Sequence, residues 1–388
     1  MLGHGIMDAD YQYQLQTLKD NIALFTPEIL DKINQIVVQY GHQIAGKKKD
    51  ENLAGSCDSF VVETNVHFPT DINLLFDAIR KMITLVMQIC GHLDISEWWQ
   101  GKHLIRKAKK LYRTAQKLRH AGSKDPVKRA EREQLIICAH TAYIDLAQAY
   151  ADRVQDTLAS FQHVDITTQF RIEQLREYIR HAERQIDQIR RRVINGESIP
   201  HAEKVFSLFE PHTEWISKGK AGVPVELGLK VCIVKDQYQF ILHHRVMQQE
   251  TDDQIAVAII EEVQRRFPDF NGCSFDKGFH SPRNQTELAA RLDNVMLPRK
   301  GKLSAINQEI ENSEAFKSAR RKHSAVESAI NALENHGLDR CPDHGIHGFK
   351  RYVALAVVAR NIQIIGSMLQ KKEAKKLARA QKAQRLAA

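Results

Sequence analysis

The fold is decided by the stretch Val225-Glu226-Leu227-Gly228-Leu229-Lys230-Val231-Cys232-Ile233, in which one side chain of every two is strongly apolar. This period of two predicts a β-strand. Lys235-Asp236-Gln237 then predicts a short turn, and Tyr238, Phe240 and Leu242 alternate again. We therefore expect a β-hairpin just past the middle of the chain.

Strand and helix patterns alternate on both sides of this hairpin. Upstream, Phe60-Val61-Val62 predicts a strand that Asp58 opens. Downstream we expect, in order, a helix from the Thr251-Asp252-Asp253 cap to Phe267, a strand over Cys273–Asp276, a helix over 284–292, a strand over 295–297 and a helix over 319–335. The polar residues between Pro298 and that last helix show no periodicity.

The segment between the first strand and the hairpin is helical, from about Asp71 to Pro200. Two lines of apolar residues have the heptad spacing of a coiled-coil seam. The first is Leu135, Ala139, Ala142, Leu146 and Ala149, and the second combines Ile172, Ile179, Ile186 and Val193 with Leu175, Ala182 and Ile189. Gln162-His163-Val164-Asp165 predicts the turn between them, with Asp165 as N-cap of the second helix. The chain thus reads as an α/β core split by an all-helical, coiled-coil hairpin insertion, although a plain helical bundle also explains the pattern.

Composition describes a globular protein of 388 residues with a formal net charge of +9. That charge favours nucleic acid as a partner first, and an acidic membrane surface second. Six cysteines without a CxxC pair indicate reduced thiols. The longest apolar runs are interrupted by charged residues and fall short of about 20 residues, so we expect no membrane span and a cytoplasmic protein.

Three carboxylates occupy positions suited to metal-dependent phosphodiester chemistry. Asp58 is expected at a strand start, Asp276 at a strand end, and Glu327 midway along an amphipathic helix. Two divalent cations about 4 Å apart can activate the attacking oxygen and stabilise the leaving oxygen. Hard Mg²⁺ or Mn²⁺ takes oxygen ligands of this kind. Each position alone is weak evidence, because an aspartate at a strand end is more often a cap.

Four blocks in order resemble bacterial insertion-sequence transposases that have a DDE catalytic triad. They are Asp58-Ser59-Phe60-Val61-Val62-Glu63-Thr64-Asn65-Val66-His67-Phe68-Pro69-Thr70-Asp71; Ser207–Ile216 with Lys218-Gly219-Lys220 and Pro224–Gly228; Phe275–Ser281; and His323 with Val326-Glu327-Ser328, Leu333–Leu338 and Arg360-Asn361. Some relatives have Tyr, Arg and Lys around the catalytic Glu, where this chain has Arg320, His323 and Glu334.

The resemblance implies an RNase H-like mixed sheet with flanking helices, interrupted by the helical insertion. It also implies that Asp58, Asp276 and Glu327 bind two Mg²⁺ or Mn²⁺ ions, and that the protein cuts transposon ends and joins them to target DNA as a homodimer. His323 precedes Glu327 by four residues, so it would share its helix face and could contact the scissile phosphate; a packing role is equally plausible. The same residues leave open a nuclease or resolvase without strand transfer, or a non-catalytic DNA-binding remnant.

The resulting division begins with an N-terminal helical segment (1–50), for which a truncated DNA-binding region is one interpretation. The catalytic core has two parts (51–75 and 201–370), separated by the helical insertion (76–200), and a basic tail follows (371–388). In the N-terminal segment, Thr26-Pro27-Glu28 predicts a helix start and Gly41 its end.

DNA contacts are predicted in the helical insertion, where aromatic side chains precede a basic helix. The candidates are Trp98, Trp99, Lys102, Arg106 and Lys110. Cations would contact phosphates, and an indole could stack on an unpaired base. Packing of the tryptophan pair inside the bundle is equally plausible.

Two other sets are less favoured as functional residues. Glu63 and Asp71 are read as surface carboxylates, Glu63 on the sheet face opposite Asp58. Cys341, His344 and His347 give only three compact zinc ligands within a loop.

Overall fold

The computed structural model describes residues 14–118, 124–161, 164–217 and 224–387. Residues Gln162 and His163 of the predicted turn, and Lys218-Gly219-Lys220 of the second resemblance block, lie outside these ranges. The chain divides into two compact units, one formed by Met1–Asn65 with His212–Ala388 and one by Val66–Pro211. We call them the sheet unit and the helical unit.

The described residues form twelve α-helices and seven β-strands. The strands are β1 (Leu53–Thr64), β2 (Glu214–Ser217), β3 (Val225–Asp236), β4 (Ile241–Val246), β5 (Phe270–Phe275), β6 (Asn294–Met296) and β7 (Arg340–Cys341). The helices are α1 (Leu15–Ala23), α2 (Pro27–Ala45), α3 (Asp71–His92), α4 (Gly101–Lys117), α5 (Pro126–Ser160), α6 (Ile166–Ile189), α7 (Asp252–Arg266), α8 (Pro282–Ala289), α9 (Ala305–Asn312), α10 (Glu314–His323), α11 (Ala325–Leu333) and α12 (Gly345–Ala387).

All seven strands belong to one mixed sheet, so the protein is of the mixed α/β class. The main path runs β2-β3-β1-β5-β6, with β4 also beside β3 and β7 beside β1. β3 is antiparallel to β1, β2 and β4, whereas β5 and β7 are parallel to β1, and β6 is parallel to β5.

The predicted hairpin is confirmed as β3 and β4, but its turn lies later than expected. Tyr238 and Phe240 belong to the turn rather than to a strand. The Phe240 N–H donates to the Asp236 carboxylate at 2.9 Å, and Gln239 has a positive φ of 79°. The side chain of Asp236 therefore closes a longer turn than the alternating pattern indicated.

The first strand begins earlier than its sequence suggests. β1 starts at Leu53, so Asp58 lies in the middle of the strand and does not open it. The segment Leu53–Cys57 is rich in small residues with weak strand propensity, but β3 and β5 pair with it on both sides. Gly55 allows this close pairing, because a Cβ there would lie 2.3 Å from the Lys235 carbonyl oxygen.

Several helix boundaries follow the predicted caps, and others differ. Thr26 accepts from the Ile29 N–H as predicted, but α2 continues past Gly41 to Ala45, and Gly46 ends it at φ 82°. The stretch after Pro298 is not aperiodic coil, since it includes α9 and α10. Ser304 and Ser313 cap these two helices through their side chains.

Each face of the sheet has its own apolar core. On one face, Cys57, Val234 and Phe275 pack with residues of α7 and α8. On the other, Phe60 and Val62 pack with residues of α11 and α12. The two faces therefore present β1 to different helices, and alternation along β1 decides which side chain meets which helix.

The last helix, α12, is apolar over part of its length. By length and composition alone, a window within Gly345–Gln381 could cross a membrane; 33% of that window is buried, and core helices of soluble proteins meet the same criterion. Phe349 and Val357 belong to the core on the α11 face, and Asn361 is fully buried. Its amide donates to Ile241 O at 2.9 Å. The part of α12 within the sheet unit's core is thus a packed element of that unit.

The helical unit has a separate core formed by α3, α4, α5 and α6. The predicted seam of α6 is confirmed for its buried positions, and Asp165 caps this helix by accepting from the N–H groups of Thr167 and Thr168. The seam predicted on α5 is wrong by one position, because Leu135 is 55% exposed while Tyr143 and Ala147 are fully buried. Tyrosine and histidine residues on α5 supply much of the buried line, and an apolar count overlooks them. Moreover, α6 packs on α3 as well as on α5, so the unit is a four-helix cluster rather than a self-contained hairpin.

Candidate active site

Two of the three predicted carboxylates lie at neighbouring strands of the sheet: Asp58 is within β1, and Asp276 is the first residue after β5. The strand predicted over Cys273–Asp276 therefore ends one residue earlier, at Phe275. Asp58 shares a face of β1 with Phe60, which is the face covered by α11. The parallel register places Cys57 opposite Phe275, so the residues that follow, Asp58 and Asp276, are next to each other. Adjacent strands are about 4.8 Å apart, which brings the two aspartates within reach of common ligands.

The third carboxylate, Glu327, comes from α11. This helix packs on the same sheet face through Val326 and Ile330. Glu327 lies in the first turn of α11, not midway along a helix, because the chain leaves helical structure at Ser324. For the same reason His323 ends α10 and does not share a helix with Glu327.

The pKa of Asp58 reflects both its burial and the carboxylates around it. Burial raises its pKa to about 6, and the charges of Asp276, Asp252 and Glu327 act in the same direction. The Ser59 N–H opposes them by donating to the Asp58 carboxylate at 2.7 Å. Four carboxylates therefore act on one small region, and a bound cation would relieve their mutual repulsion.

His323 lies beside these carboxylates and is connected to the sheet. Its Nδ1 is 3.0 Å from the Ser274 hydroxyl, and that hydroxyl donates to Ser56 Oγ at 2.8 Å. Burial lowers the pKa of His323, against the charges of Asp276 and Glu327. The imidazole is thus fixed through one nitrogen near the predicted triad.

A cavity of about 140 Å³ opens beside Asp276 and His323. Three cations line it, namely Lys277, Arg299 and Arg320, together with Glu311 and apolar side chains such as Met296 and Leu303. Glu311 accepts from the backbone N–H of Arg299 at 2.9 Å. Within the ranges that the structure describes, no carboxylate side chain pairs with the guanidinium of Arg299 or Arg320 or with the ammonium of Lys277. Free cations adjacent to a carboxylate cluster are suited to a phosphate backbone.

Asp252 also contacts this region, although its local sequence indicates only a helix cap. Its carboxylate accepts from Ser59 Oγ at 2.7 Å and from Lys230 Nζ at 3.0 Å. The predicted helix start is confirmed, because Asp252 is the first residue of α7. No local signal in the sequence connects it to Asp58, since the contact joins residues 193 positions apart.

In the helical unit, the basic helix α4 has the predicted exposed cations, but Trp98 is not available to a base. Trp98 is only 1% exposed; its indole N–H donates to Thr157 Oγ1, and Arg153 lies over its ring. Trp99 is 76% exposed. Lys102, Arg106 and Lys110 are exposed as predicted. A cavity of about 370 Å³ is lined by Arg106, Lys109, Lys110, Arg113, Thr114 and Lys117.

The secondary candidates have structural partners. Glu63 pairs with Arg340 at 2.7 Å, and Asp71 pairs with Arg192 at 2.9 Å. Cys341 is buried at the end of β7. Across the described ranges, no three His, Cys, Asp or Glu side chains are placed closely enough to ligate one ion.

The donor chemistry of the triad nevertheless fits a hard divalent cation. Asp58, Asp276 and Glu327 offer only carboxylate oxygens, which Mg²⁺ and Mn²⁺ prefer. The raised pKa of Asp58 indicates a carboxylate whose negative charge lacks compensation.

No family model, no curated protein and no solved structure matches this chain. The fold places the chain in the mixed α/β class, with Asp58 and Asp276 adjacent at the sheet.

Proposed function

We propose that this chain is a DDE transposase that hydrolyses phosphodiester bonds at the ends of a mobile element and joins the ends to target DNA. The observation that carries the proposal is the position of Asp58 on β1 next to Asp276, the first residue after the adjacent parallel strand β5, with the charge of Glu327 acting on Asp58. Two strands and a helix would then hold the metal ligands rigidly.

The finer description of the fold belongs to the same proposal. We take the sheet unit to be an RNase H-like core and the helical unit to be an insertion into it. The antiparallel strands β1, β3 and β4 followed by the parallel strands β5 and β6 support this description.

Asp58, Asp276 and Glu327 would hold two Mg²⁺ or Mn²⁺ ions. When bound, such ions lower the pKa of an attacking water and stabilise the leaving oxygen. His323, fixed by Ser274, would contact the scissile phosphate from the side of the cavity. Arg299 and Arg320, which line the cavity, would hold the neighbouring DNA backbone in line with the carboxylates.

DNA would also contact the exposed cations of α4. Its cavity-lining residues include five lysines and arginines, and the helix has no Asp or Glu. Such a surface binds phosphates without reading sequence. We further propose that the protein works as a homodimer on DNA, in the cytoplasm and with no membrane as a partner.

The test replaces Asp276 by Asn, which keeps the side-chain volume but removes the charge that holds a cation. We expect cleavage of supercoiled plasmid carrying the DNA that flanks the gene to fall by at least about 1000-fold in Mg²⁺, because the metal supplies several kcal/mol of transition-state stabilisation. DNA affinity at fixed salt should be kept or rise, since an anion near the phosphates is lost.

Glu63→Gln is the matched control, because it also neutralises one carboxylate on the sheet and its pair with Arg340 is partly exposed. It should cleave within about twofold of the wild type. A folded Asp276→Asn protein that cleaves normally would contradict the proposal. Cleavage without joined products would favour the nuclease or resolvase alternative, and DNA binding without cleavage by the wild type would favour the non-catalytic one.

A further inference from the structure

A cluster on the opposite face of the sheet connects the two segments that carry Asp58 and Asp276. Ser59 and Lys230 point to the face covered by α7, and both contact the carboxylate of Asp252, at 2.7 and 3.0 Å. The loop after β5 packs against the same carboxylate, because a Cβ on Gly278 would lie 3.1 Å from Asp252 Oδ2. We call Ser59, Lys230, Asp252 and Gly278 the Asp252 cluster.

Two of these contacts involve residues close in sequence to a predicted metal ligand. Ser59 follows Asp58 directly on β1, and Gly278 lies two residues after Asp276. Asp252 itself is the first residue of α7, where the helix dipole favours its negative charge. It is therefore anchored by a helix and touches both ligand-bearing segments.

The contacts are sheltered enough to have a structural effect. The side chain of Asp252 is 16% exposed and that of Lys230 is 30% exposed. Charge-assisted hydrogen bonds are stronger than neutral ones, and their geometry is more sharply defined when solvent is partly excluded. Asp252 thus contacts both β1, through Ser59, and the loop over Lys277–Phe279, through Gly278.

We propose that Asp252 is a positioning residue that sets the separation of Asp58 and Asp276 by joining Ser59, Lys230 and the Gly278 loop behind them. It acts through these neighbours and does not itself touch the substrate. Residues that orient metal ligands in this way typically change metal affinity by about 10- to 100-fold when they are replaced. The role of Asp252 in positioning metal ligands rests on the proposed function. Its contacts with Ser59, Lys230 and the Gly278 loop do not.

The test is hydrogen exchange on the metal-free full chain, followed by Mn²⁺ titration. Asp252→Asn keeps the side-chain size and removes the charge. We expect faster exchange of the loop amides of Phe279 and His280, which donate to Asp276 O and Lys277 O in the structure. The β1 amides around Ser59 should also exchange faster, and Mn²⁺ affinity should fall by about 10-fold or more.

Asp253→Asn is the matched control. It removes a charge from the same first turn of α7, and among the described residues its carboxylate has no hydrogen bond or ion pair. Ser59→Ala is the second variant, since it removes one contact without changing charge and is expected to raise exchange in the loop and in β1 to a smaller extent.

If Asp252 only stabilises α7, hydrogen exchange in Asp252→Asn will rise in the first turn of that helix alone, and Ser59→Ala will leave the exchange of the loop amides unchanged. Those two results would show that the proposal is wrong. The exchange result stands apart from the proposed function. A wild type that neither binds Mn²⁺ nor cleaves DNA would refute the function, while faster loop exchange in the variants would still support the connection.

Discussion

Replacing Asp58 by Asn should stabilise the metal-free protein at neutral and alkaline pH. Burial and three neighbouring carboxylates raise the pKa of Asp58 from 3.8 to about 6. A carboxyl group whose pKa is raised on folding contributes stability below its unfolded pKa and loses that contribution as the pH rises through its folded pKa. The ionised form of Asp58 therefore lowers the free energy of unfolding above about pH 6.

The size of this effect follows from the two pKa values. Each pKa unit corresponds to about 1.4 kcal/mol, so the difference between 3.8 and about 6 is worth about 3 kcal/mol. Asn keeps an oxygen that can accept from the Ser59 N–H but carries no charge to desolvate. We expect Asp58→Asn to be about 2 to 3 kcal/mol more stable than the wild type at pH 8, and nearly equal to it at pH 4.

Urea unfolding in EDTA, followed by tryptophan fluorescence, measures this difference in the free energy of unfolding. The fluorescence must come from the sheet unit. Trp215 lies on β2, whereas Trp98 and Trp99 lie in the helical unit. A common Trp98→Phe, Trp99→Phe background makes Trp215 the reporter in both proteins. With Mn²⁺ at about 100 times its Kd, the wild type should gain about 2.7 kcal/mol, and Asp58→Asn should gain far less.

The reasoning is refuted if Asp58→Asn is no more stable than the wild type at pH 8 without metal. Glu63→Gln, on the same strand, is the control, and its stability should change by less than about 1 kcal/mol at either pH. A gain for Asp58→Asn that is the same at pH 4 and pH 8 would also count against the electrostatic cause.

Two further predictions concern the helical unit. The double variant Arg106→Gln, Lys110→Gln should weaken DNA binding equally for all sequences and reduce the slope of log K against log[salt] by about 2. Anisotropy titrations at several salt concentrations measure this slope, and an unchanged slope would exclude α4 as a phosphate contact. Trp98→Ala should destabilise the helical unit by about 3 to 5 kcal/mol in thermal unfolding because it removes a buried indole, whereas the exposed Trp99→Ala should change stability little and lower affinity for single-stranded DNA if it stacks on bases.

Much of the local structure can be predicted from the sequence. The period of two over 225–233 predicts β3, and the heptad line through Ile172, Ile179 and Ile186 predicts the buried face of α6. Thr251 and Asp165 mark helix starts where the structure has them. These features depend on interactions within a few residues, so the information for them is local. Residue type and expected position also single out the three candidate carboxylates, but only the resemblance of the sequence blocks combines them into a triad.

Other features depend on what the neighbouring segments supply. β1 extends back to Leu53 because β3 and β5 provide hydrogen-bonding partners for a segment of weak strand propensity. The break at Ser324 that separates His323 from Glu327 is not apparent in a pattern that reads as one amphipathic helix.

The sequence alone thus determined the strands and helices with strong periodicity, their caps, and the acidic residues worth testing. Only the tertiary structure decided that Asp58 and Asp276 are neighbours, because strand order and register are set by contacts between distant segments. It also buried Trp98 and joined Asp252 to Ser59. A hydrogen bond across 193 residues leaves no trace in local periodicity, since it exists only once the sheet has brought its two partners together.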